Sequence, residues 1–278
     1  MKRLCVIGDP VGHSLSPKMH NAALECLGLQ NEFVFESVRI RQEELEGFVE
    51  RLRNKNYAGV SVTMPHKQTI VPLLDSLSEE AALSQAVNTI TISEDSLIGH
   101  NTDGAGCVRA LEEANVPFKG RTVAVFGAGG AAKAIMVSLA LEGVKKIIIL
   151  NRTLAAAEDI AGIIRKISDC EAEPSGIGSL DETLANADIL INATPLGMTG
   201  TGPKLNVPAG LIKQNMAVFD IVYKPAQTEI ILNAEKAGAK TIPGIEMLLH
   251  QGALQFKLFT SRNAPLDVMR AAIGGSEK

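Results

Sequence analysis

Val123-Ala124-Val125-Phe126-Gly127-Ala128-Gly129-Gly130-Ala131-Ala132 is the stretch that decides the fold. Four apolar residues run straight into the pattern G-x-G-x-x-A, and a helical pattern follows as far as Leu141. Gly127 permits the tight turn out of a strand, Gly129 lets backbone N–H groups approach a pyrophosphate, and Ala132 leaves room for a helix against the strand. The start of that helix, at Gly130 and Ala131, offers unpaired N–H donors and the positive end of the helix dipole to phosphates. The next strand, Lys146–Leu150, ends in Asn151-Arg152-Thr153. Sites for NAD usually carry a carboxylate at this point, which would repel a 2′-phosphate. Arg152 can instead pair with a phosphate and stack on adenine, while Asn151 and Thr153 donate to its oxygens. The segment reads as a Rossmann-type unit for NADP (NADPH), the alternative for Arg152 being a solvated side chain at a helix start.

On both sides of this unit, apolar strands alternate with helical patterns, the signature of an α/β fold with parallel sheets and crossover helices. Leu4–Ile7 reads as a strand, and Ser16-Pro17 as an N-cap followed by a proline at the first helical position, with Gly28 stopping the helix. Phe33–Val38 reads as a strand, Gln42–Asn54 as an amphipathic helix and Gly59–Val62 as a short buried strand, with a helix starting near His66. Val87–Ile92 and Ser96–Gly99 form a hairpin around Glu94-Asp95. A helix carrying Val108 and Leu111 toward a core follows Asn101-Thr102-Asp103. Beyond Leu150 come a helix over Leu154–Ile167, strands at Ile189–Asn192 and Val218–Ile221, a helix over Ile230–Ala237 and a short strand at Thr241-Ile242. Two last helices, Gly244–Thr260 and Pro265–Ala272, have no strand of their own and are expected to pack back on the first domain. The plan is two domains: a discontinuous one of residues 1–103 and 244–278, interrupted by a nucleotide-binding one of residues 104–243, with a cleft between them.

Two domains suit 278 residues, and 46% hydrophobic with 21% charged residues is the balance of a globular enzyme. A net charge of −4, no Lys/Arg cluster, no Trp and only 4% aromatics argue against nucleic acid as a partner. The apolar run after Lys2-Arg3 is too short for a signal peptide, and Thr122 to Leu141 is broken by glycines and Lys133, so no membrane span is expected. Cys5, Cys26, Cys107 and Cys170 are scattered without C-x-x-C and read as buried free thiols of a cytoplasmic protein. His66 and His100 lack metal-ligand spacing with a carboxylate, so no metal is expected.

Several strand ends carry polar residues, the usual place for site residues in α/β folds. His13-Ser14-Leu15-Ser16-Pro17 offers two hydroxyls beside a helix N-terminus, a seat for a carboxylate. Ser61-Val62-Thr63-Met64-Pro65-His66-Lys67 delivers a lysine, and Val87-Asn88-Thr89 and Gly99-His100-Asn101-Thr102-Asp103-Gly104 repeat the pattern. Singly, Ser16 and Asp103 read as helix caps and Lys67 as solvated. Together, S-L-S-P-x-x-H-N, S-V-T-M-P-H-K, A-V-N-T and G-H-N-T-D-G make the chain resemble the shikimate dehydrogenase family. The resemblance runs on through G-A-G-G-A, N-R-T, Asn192-Ala193-Thr194-Pro195-Leu196-Gly197-Met198, Asp220-Ile221-Val222-Tyr223 and Gly244-Ile245-Glu246-Met247-Leu248 with Gln251.

The resemblance implies reversible, NADPH-linked reduction of 3-dehydroshikimate to shikimate, a step of aromatic amino-acid biosynthesis, in a protein that is a monomer or a homodimer. It gives Lys67 and Asp103 as the acid–base pair, Ser14, Ser16 and Tyr223 at the substrate carboxylate, and Thr63, Asn88 and Gln251 at ring hydroxyls. It gives Gly127, Ala128, Gly129, Gly130 and Ala131 at the pyrophosphate and Asn151, Arg152 and Thr153 at the 2′-phosphate. Thr194 and Met198 fall near the ribose and nicotinamide, and Gly244 joins the cofactor residues. Hydride addition to a carbonyl builds negative charge on oxygen, which needs a nearby cation or proton donor, and Lys67 can be both. The chain departs from the family pattern at Gln85, where glycine is common, at His100, where tyrosine is commoner, and at Leu154-Ala155-Ala156, which lacks a second basic residue after N-R-T. Two other readings remain: a quinate/shikimate dehydrogenase with relaxed use of NAD and NADP, and a non-catalytic nucleotide-sensing module on the same scaffold. A methylene-tetrahydrofolate dehydrogenase would share the two-domain plan without explaining the serine pair.

Overall fold

The computed structural model describes residues 1–53, 57–94, 96–200 and 202–274, so that Asn54 of the expected second helix and Asp95 of the expected hairpin turn lie outside the described residues. The chain divides into two compact units, Met1–Gly106 with Leu249–Lys278, and Cys107–Leu248. In chain order the elements are β1 (Lys2–Gly8), α1 (Ser16–Cys26), β2 (Phe33–Arg39), α2 (Leu45–Arg53), β3 (Tyr57–Val62), α3 (His66–Thr69), β4 (Ser76–Leu77), α4 (Glu79–Ser84), β5 (Thr89–Ser93), β6 (Ser96–His100) and α5 (Asp103–Glu113). There follow β7 (Thr122–Phe126), α6 (Gly130–Leu141), β8 (Lys146–Leu150), α7 (Leu154–Ile167), β9 (Glu171–Ser175), α8 (Leu180–Asn186), β10 (Ile189–Asn192), β11 (Ala217–Asp220), α9 (Glu229–Lys236) and β12 (Lys240–Pro243). The chain closes with α10 (Gly244–Thr260) and α11 (Leu266–Gly274).

In the second unit six strands form one sheet in the order β9-β8-β7-β10-β11-β12, every neighbouring pair parallel. This is the doubly wound dinucleotide-binding order, whose winding reverses between β7 and β10. Its central strands are apolar without alternation because both faces are covered. Val123, Val125, Ile147, Ile149 and Ile191 join one buried cluster with α6 and α7 residues such as Ile135 and Ile160. Ala124, Phe126, Leu150, Leu190 and Val218 join another with Leu184 of α8 and Ile230 of α9. The edge strand β9 (Glu-Ala-Glu-Pro-Ser) went unforeseen: half exposed and carrying Pro174, it has no apolar run, and an edge is where a sheet tolerates proline. Helix α8 was missed for the same reason, being a short polar segment.

The first unit's sheet runs β2-β1-β3-β5-β6-β4. The expected hairpin is present as the antiparallel pair β5–β6, and the parallel expectation is corrected at one place: β5 also lies antiparallel to β3. A short turn can join only antiparallel neighbours. The reversal matters, because it sets the start of β5 beside the ends of β3 and β6: Val62 N–H donates to Asn88 O at 2.7 Å and Asn88 N–H to His100 O at 3.1 Å. Helices α10 and α1 meet closely in this unit, since a Cβ on Gly252 would stand 2.1 Å from Met19 Cε.

Two local readings are corrected. Ser16 is the first residue of α1 rather than its cap; Leu15 holds the cap position without a side-chain bond, and Ser14 Oγ accepts from Ser16 N–H at 3.3 Å. Cys5, Cys107 and Cys170 are buried free thiols, but Cys26 is exposed, because it falls on the outer face of the last turn of α1. Gln85, in place of the commoner glycine, ends α4 with φ 49°, in the left-handed region that a glycine adopts at less cost.

Candidate active site

Lys67 stands on the single turn of α3, directly after β3, and Asp103 is the first residue of α5, directly after β6. Lys67 Nζ donates to Asp103 Oδ2 at 2.5 Å, with the lysine side chain 18% and the aspartate side chain 4% exposed. Asp103 Oδ1 accepts from Asn88 Nδ2 at 2.9 Å. The carboxylate is thus engaged at both oxygens by side chains, and the capping reading of Asp103 is corrected: Asn101 Oδ1 takes the Asp103 N–H instead, at 2.9 Å. Lys67 is held by its backbone, whose carbonyl accepts from Val87 N–H at 2.7 Å, and His66 Nε2 meets Ile40 O at 2.7 Å. His100 Nε2 lies 2.9 Å from Thr91 Oγ1, so both histidines are occupied by structural bonds.

Asn88 is 1% exposed, and its Nδ2 also reaches Thr102 Oγ1 at 2.9 Å and Gln251 Oε1 at 3.3 Å, bringing α10 to the pair. Thr63 is half-buried and follows β3 by one residue. Thr63 N–H donates to Ile7 O at 2.9 Å, which ties the ends of β1 and β3 together. Of the expected substrate residues, Asn88 and Gln251 are in direct contact with each other and, through Asn88, with the Lys67–Asp103 pair. Ser14 and Ser16 lie together at the start of α1.

In the second unit Gly127 follows β7 with φ 110°, a conformation that disfavours any side chain, and an added Cβ would meet Thr194 Cγ2 at 2.9 Å and Ala193 O at 3.0 Å. Gly127 and Thr194 therefore face each other at the switch point, at the ends of β7 and β10. Around the Cβ direction of Gly129 the space is open, Ala132 is fully buried against the sheet, and α6 starts at Gly130 with no side-chain cap. Its first N–H groups are available to an anion, and this cradle fits a pyrophosphate. Arg152 is exposed and has no ion-pair partner among the described residues, while Asn151 Nδ2 donates to Thr153 O at 2.9 Å. A free guanidinium at the end of β8 fits a phosphate ester. Gly244 is required by close approach, since a Cβ there would lie 2.4 Å from Ile221 O.

Residues 6–90 match the family model for the shikimate dehydrogenase substrate binding domain, residues 110–223 that for shikimate / quinate 5-dehydrogenase, and residues 244–273 that for the shikimate 5′-dehydrogenase C-terminal domain. The chain is 42% identical over 272 residues to the shikimate dehydrogenase (NADP(+)) of Alkaliphilus metalliredigens, covering 96% of this chain and 94% of the relative. The chain belongs to the shikimate dehydrogenase family. A shikimate dehydrogenase solved in complex with NADP+ superimposes with a TM-score of 0.92 at 38% identity, covering 100% of this chain and 96% of the other. The Listeria monocytogenes shikimate 5-dehydrogenase, solved with shikimate and NAD, gives a TM-score of 0.89 at 38% identity, covering 98% and 96%. No helix among the described residues is long and apolar enough to cross a membrane.

For a shikimate dehydrogenase, several supporting side chains lay within the quoted motifs without a role. Asp220, fully buried at the end of β11, accepts from Asn192 Nδ2 at 2.9 Å, Val222 N–H at 3.0 Å and Thr228 Oγ1 at 2.5 Å. Burial pushes its carboxyl above the usual carboxylate range, and those three donors pull it part of the way back. Asn192 Oδ1 in turn accepts from Thr194 Oγ1 at 2.6 Å, so Asp220 braces the Thr194 loop and the segment leading to Tyr223 together. Burial likewise raises the Tyr223 hydroxyl. Gln255 was missed although it lies four residues after Gln251 on α10, and so on the same helix face.

Proposed function

We propose that this chain catalyses the reversible reduction of 3-dehydroshikimate to shikimate with NADPH in aromatic amino-acid biosynthesis. The observation that carries the reading is the Lys67–Asp103 pair at 2.5 Å, held by Asn88 at one end of the first unit's sheet. NADPH, when bound, supplies the hydride. Gly127, Ala128, Gly129, Gly130 and Ala131 hold its pyrophosphate, Asn151, Arg152 and Thr153 its 2′-phosphate, Thr194 and Met198 its nicotinamide half, and Gly244 completes the cofactor residues. In the substrate, Ser14 and Ser16 hold the carboxylate, and Thr63, Asn88 and Gln251 the ring hydroxyls.

As the carbonyl carbon gains the hydride, its π electrons move to oxygen, and Lys67 gives a proton to that oxygen. Asp103 orients the ammonium before transfer and stays beside the amine afterwards, ready to hold it when solvent returns the proton. In the reverse direction Lys67 takes the proton from the shikimate hydroxyl. The substrate is a small anion, the division of labour is a substrate domain of residues 1–103 and 244–278 and a cofactor domain of residues 104–243, and the protein works as a monomer or homodimer. The exposed free thiol of Cys26 suits a reducing cytoplasm.

The test is purified protein assayed at 340 nm with shikimate or quinate against NADP+ or NAD+. Turnover confined to shikimate with NADP+ is expected. Comparable rates with quinate or NAD+ would move the chain to the relaxed quinate/shikimate reading, which the NAD-bound Listeria relative keeps in view. No turnover with any pair, despite tight NADP+ binding, would favour a nucleotide-sensing module. Arg152→Ala is expected to raise KM for NADP+ about tenfold and leave that for NAD+ within twofold, since one charge-assisted bond is at stake. Gly127→Ala is expected to weaken NADP+ binding by about tenfold, read by calorimetric titration, because the new methyl group forces the turn away from Thr194. An unchanged Kd would mean that the turn relaxes without moving the phosphate seat.

A further inference from the structure

Behind Asn88 lies a chain of buried polar groups to which the mechanism above gives no part. Ser61, Thr89 and Gln255 are 4%, 0% and 2% exposed, and each is hydrogen-bonded. Ser61 Oγ donates to Gln255 Oε1 at 2.8 Å, Gln255 Nε2 donates to Thr89 Oγ1 at 2.9 Å and to Asn88 O at 3.0 Å, and Thr89 Oγ1 donates to Asn88 Oδ1 at 2.7 Å. The direction of every bond is determined. Asn88 O is a backbone carbonyl and can only accept, so the Gln255 amide must present its nitrogen to it. Thr89 Oγ1 then receives a proton from Gln255 and must send its own to Asn88 Oδ1. Thr102 N–H, which can only donate, meets the same oxygen at 2.9 Å. Both constraints turn the Asn88 amide one way, with Nδ2 toward Asp103 Oδ1.

We propose that Thr89 and Gln255 are positioning residues for catalysis: they form a one-way hydrogen-bond relay from α10 that clamps the Asn88 amide and, through it, the Asp103 carboxylate against Lys67. The relay rests on the reading of Lys67 and Asp103 as the acid–base pair. Neither Thr89 nor Gln255 touches the pair itself. Their effect is exerted on the angle at which Asn88 meets Asp103, and a proton donor misplaced by a fraction of an ångström loses rate. The bonds join Gln255 to Thr89 and Asn88, 166 and 167 positions away in sequence, so α10 acts here as a clamp on the start of β5.

The experiment compares Thr89→Val, which keeps the volume and removes the hydroxyl, with Thr89→Ser, which keeps the hydroxyl and removes a methyl group. Each is assayed for kcat and KM with shikimate and NADP+ beside the unmodified protein, with Tm recorded. The relay predicts that Thr89→Val lowers kcat about tenfold with KM for NADP+ within twofold, and that Thr89→Ser stays within about threefold of the unmodified kcat. A packing role predicts the opposite order, valine benign and serine damaging, and that outcome overturns the proposal. So does a Thr89→Val protein with unchanged kcat. If Thr89→Val does not fold, Gln255→Met reads the relay one bond further out: a fall of about fivefold in kcat supports it and an unchanged kcat overturns it. If the unmodified protein turns over neither shikimate nor quinate, the catalytic reading has failed and the relay falls with it; active unmodified protein with an equally active valine variant removes the relay alone.

Discussion

Lys67→Ala is expected to lower kcat for shikimate oxidation by about 10²–10⁴-fold, the range for removing a positioned general acid or base, while the Kd for NADP+ stays within twofold. In the proposed mechanism the oxygen on which charge develops takes its proton from Lys67, whose Nζ lies 2.5 Å from Asp103 Oδ2. The substitution also leaves the buried Asp103 carboxylate with Asn88 as its remaining side-chain donor, so Tm is expected to fall. The assay therefore belongs well below the unfolding transition. Near-normal turnover at saturating shikimate, with little change in the pH profile, would remove Lys67 from proton transfer and leave hydride addition to be balanced by water.

His20→Phe is expected to flatten the loss of stability that the protein suffers on mild acidification. His20, on α1, is fully buried, stacks on Phe35 at 4.3 Å between centroids, and neither ring nitrogen has a hydrogen-bond partner among the described residues. Burial pulls its pKa down from 6.5 to about 3. In the unfolded chain the ring takes a proton as the pH falls below about 6.5; in the folded protein it stays neutral until about 3. The unfolded state therefore binds more protons throughout that window, and stability is full above 6.5, falls as the pH is lowered and has lost the whole contribution near 3. The arithmetic gives about 2 kcal/mol lost at pH 5 and on the order of 5 kcal/mol by pH 3. Urea unfolding at pH 7 and pH 5 should show a difference smaller by about 2 kcal/mol in the phenylalanine variant. An identical difference in both proteins would mean that His20 is protonated in the fold and has found a partner.

Much of the second unit was legible because its physics is local. A run such as Ile147-Ile148-Ile149-Leu150 suits a strand covered on both faces, as in a parallel sheet with crossover helices, and G-x-G-x-x-A between strand and helix leaves few other uses for the glycines. Where burial is partial the signal fails. The edge strand β9 and the short helix α8 have half-exposed, polar sequences, and the two-residue β4 is too short for any period. In the first unit the β5–β6 hairpin was legible, but the antiparallel pairing of β5 with β3, which sets Asn88 beside Val62, was not.

Caps were misread for a related reason. Ser16 lies one position inside its helix, and Asp103, a good N-cap residue in isolation, has a side chain for which the tertiary structure offered other partners. Lys67 and Asn88 claim the Asp103 carboxylate, and Asn101 takes over its backbone N–H. The A-V-N-T motif was quoted for Asn88, whereas Thr89 is what turns the Asn88 amide, with a glutamine 166 residues further on turning Thr89.

By itself, then, the sequence determined the α/β class, the glycine-rich turn between strand and helix, and the residue types of the candidate site, since these depend on periodicity and on chemistry carried by single side chains. Only the tertiary structure decided how the site residues meet: the pairing of β5 with β3, the Lys67–Asp103 contact and the clamp from α10 are bonds between residues far apart in the chain, and their geometry exists only once the sheets have formed and water has been excluded from between them.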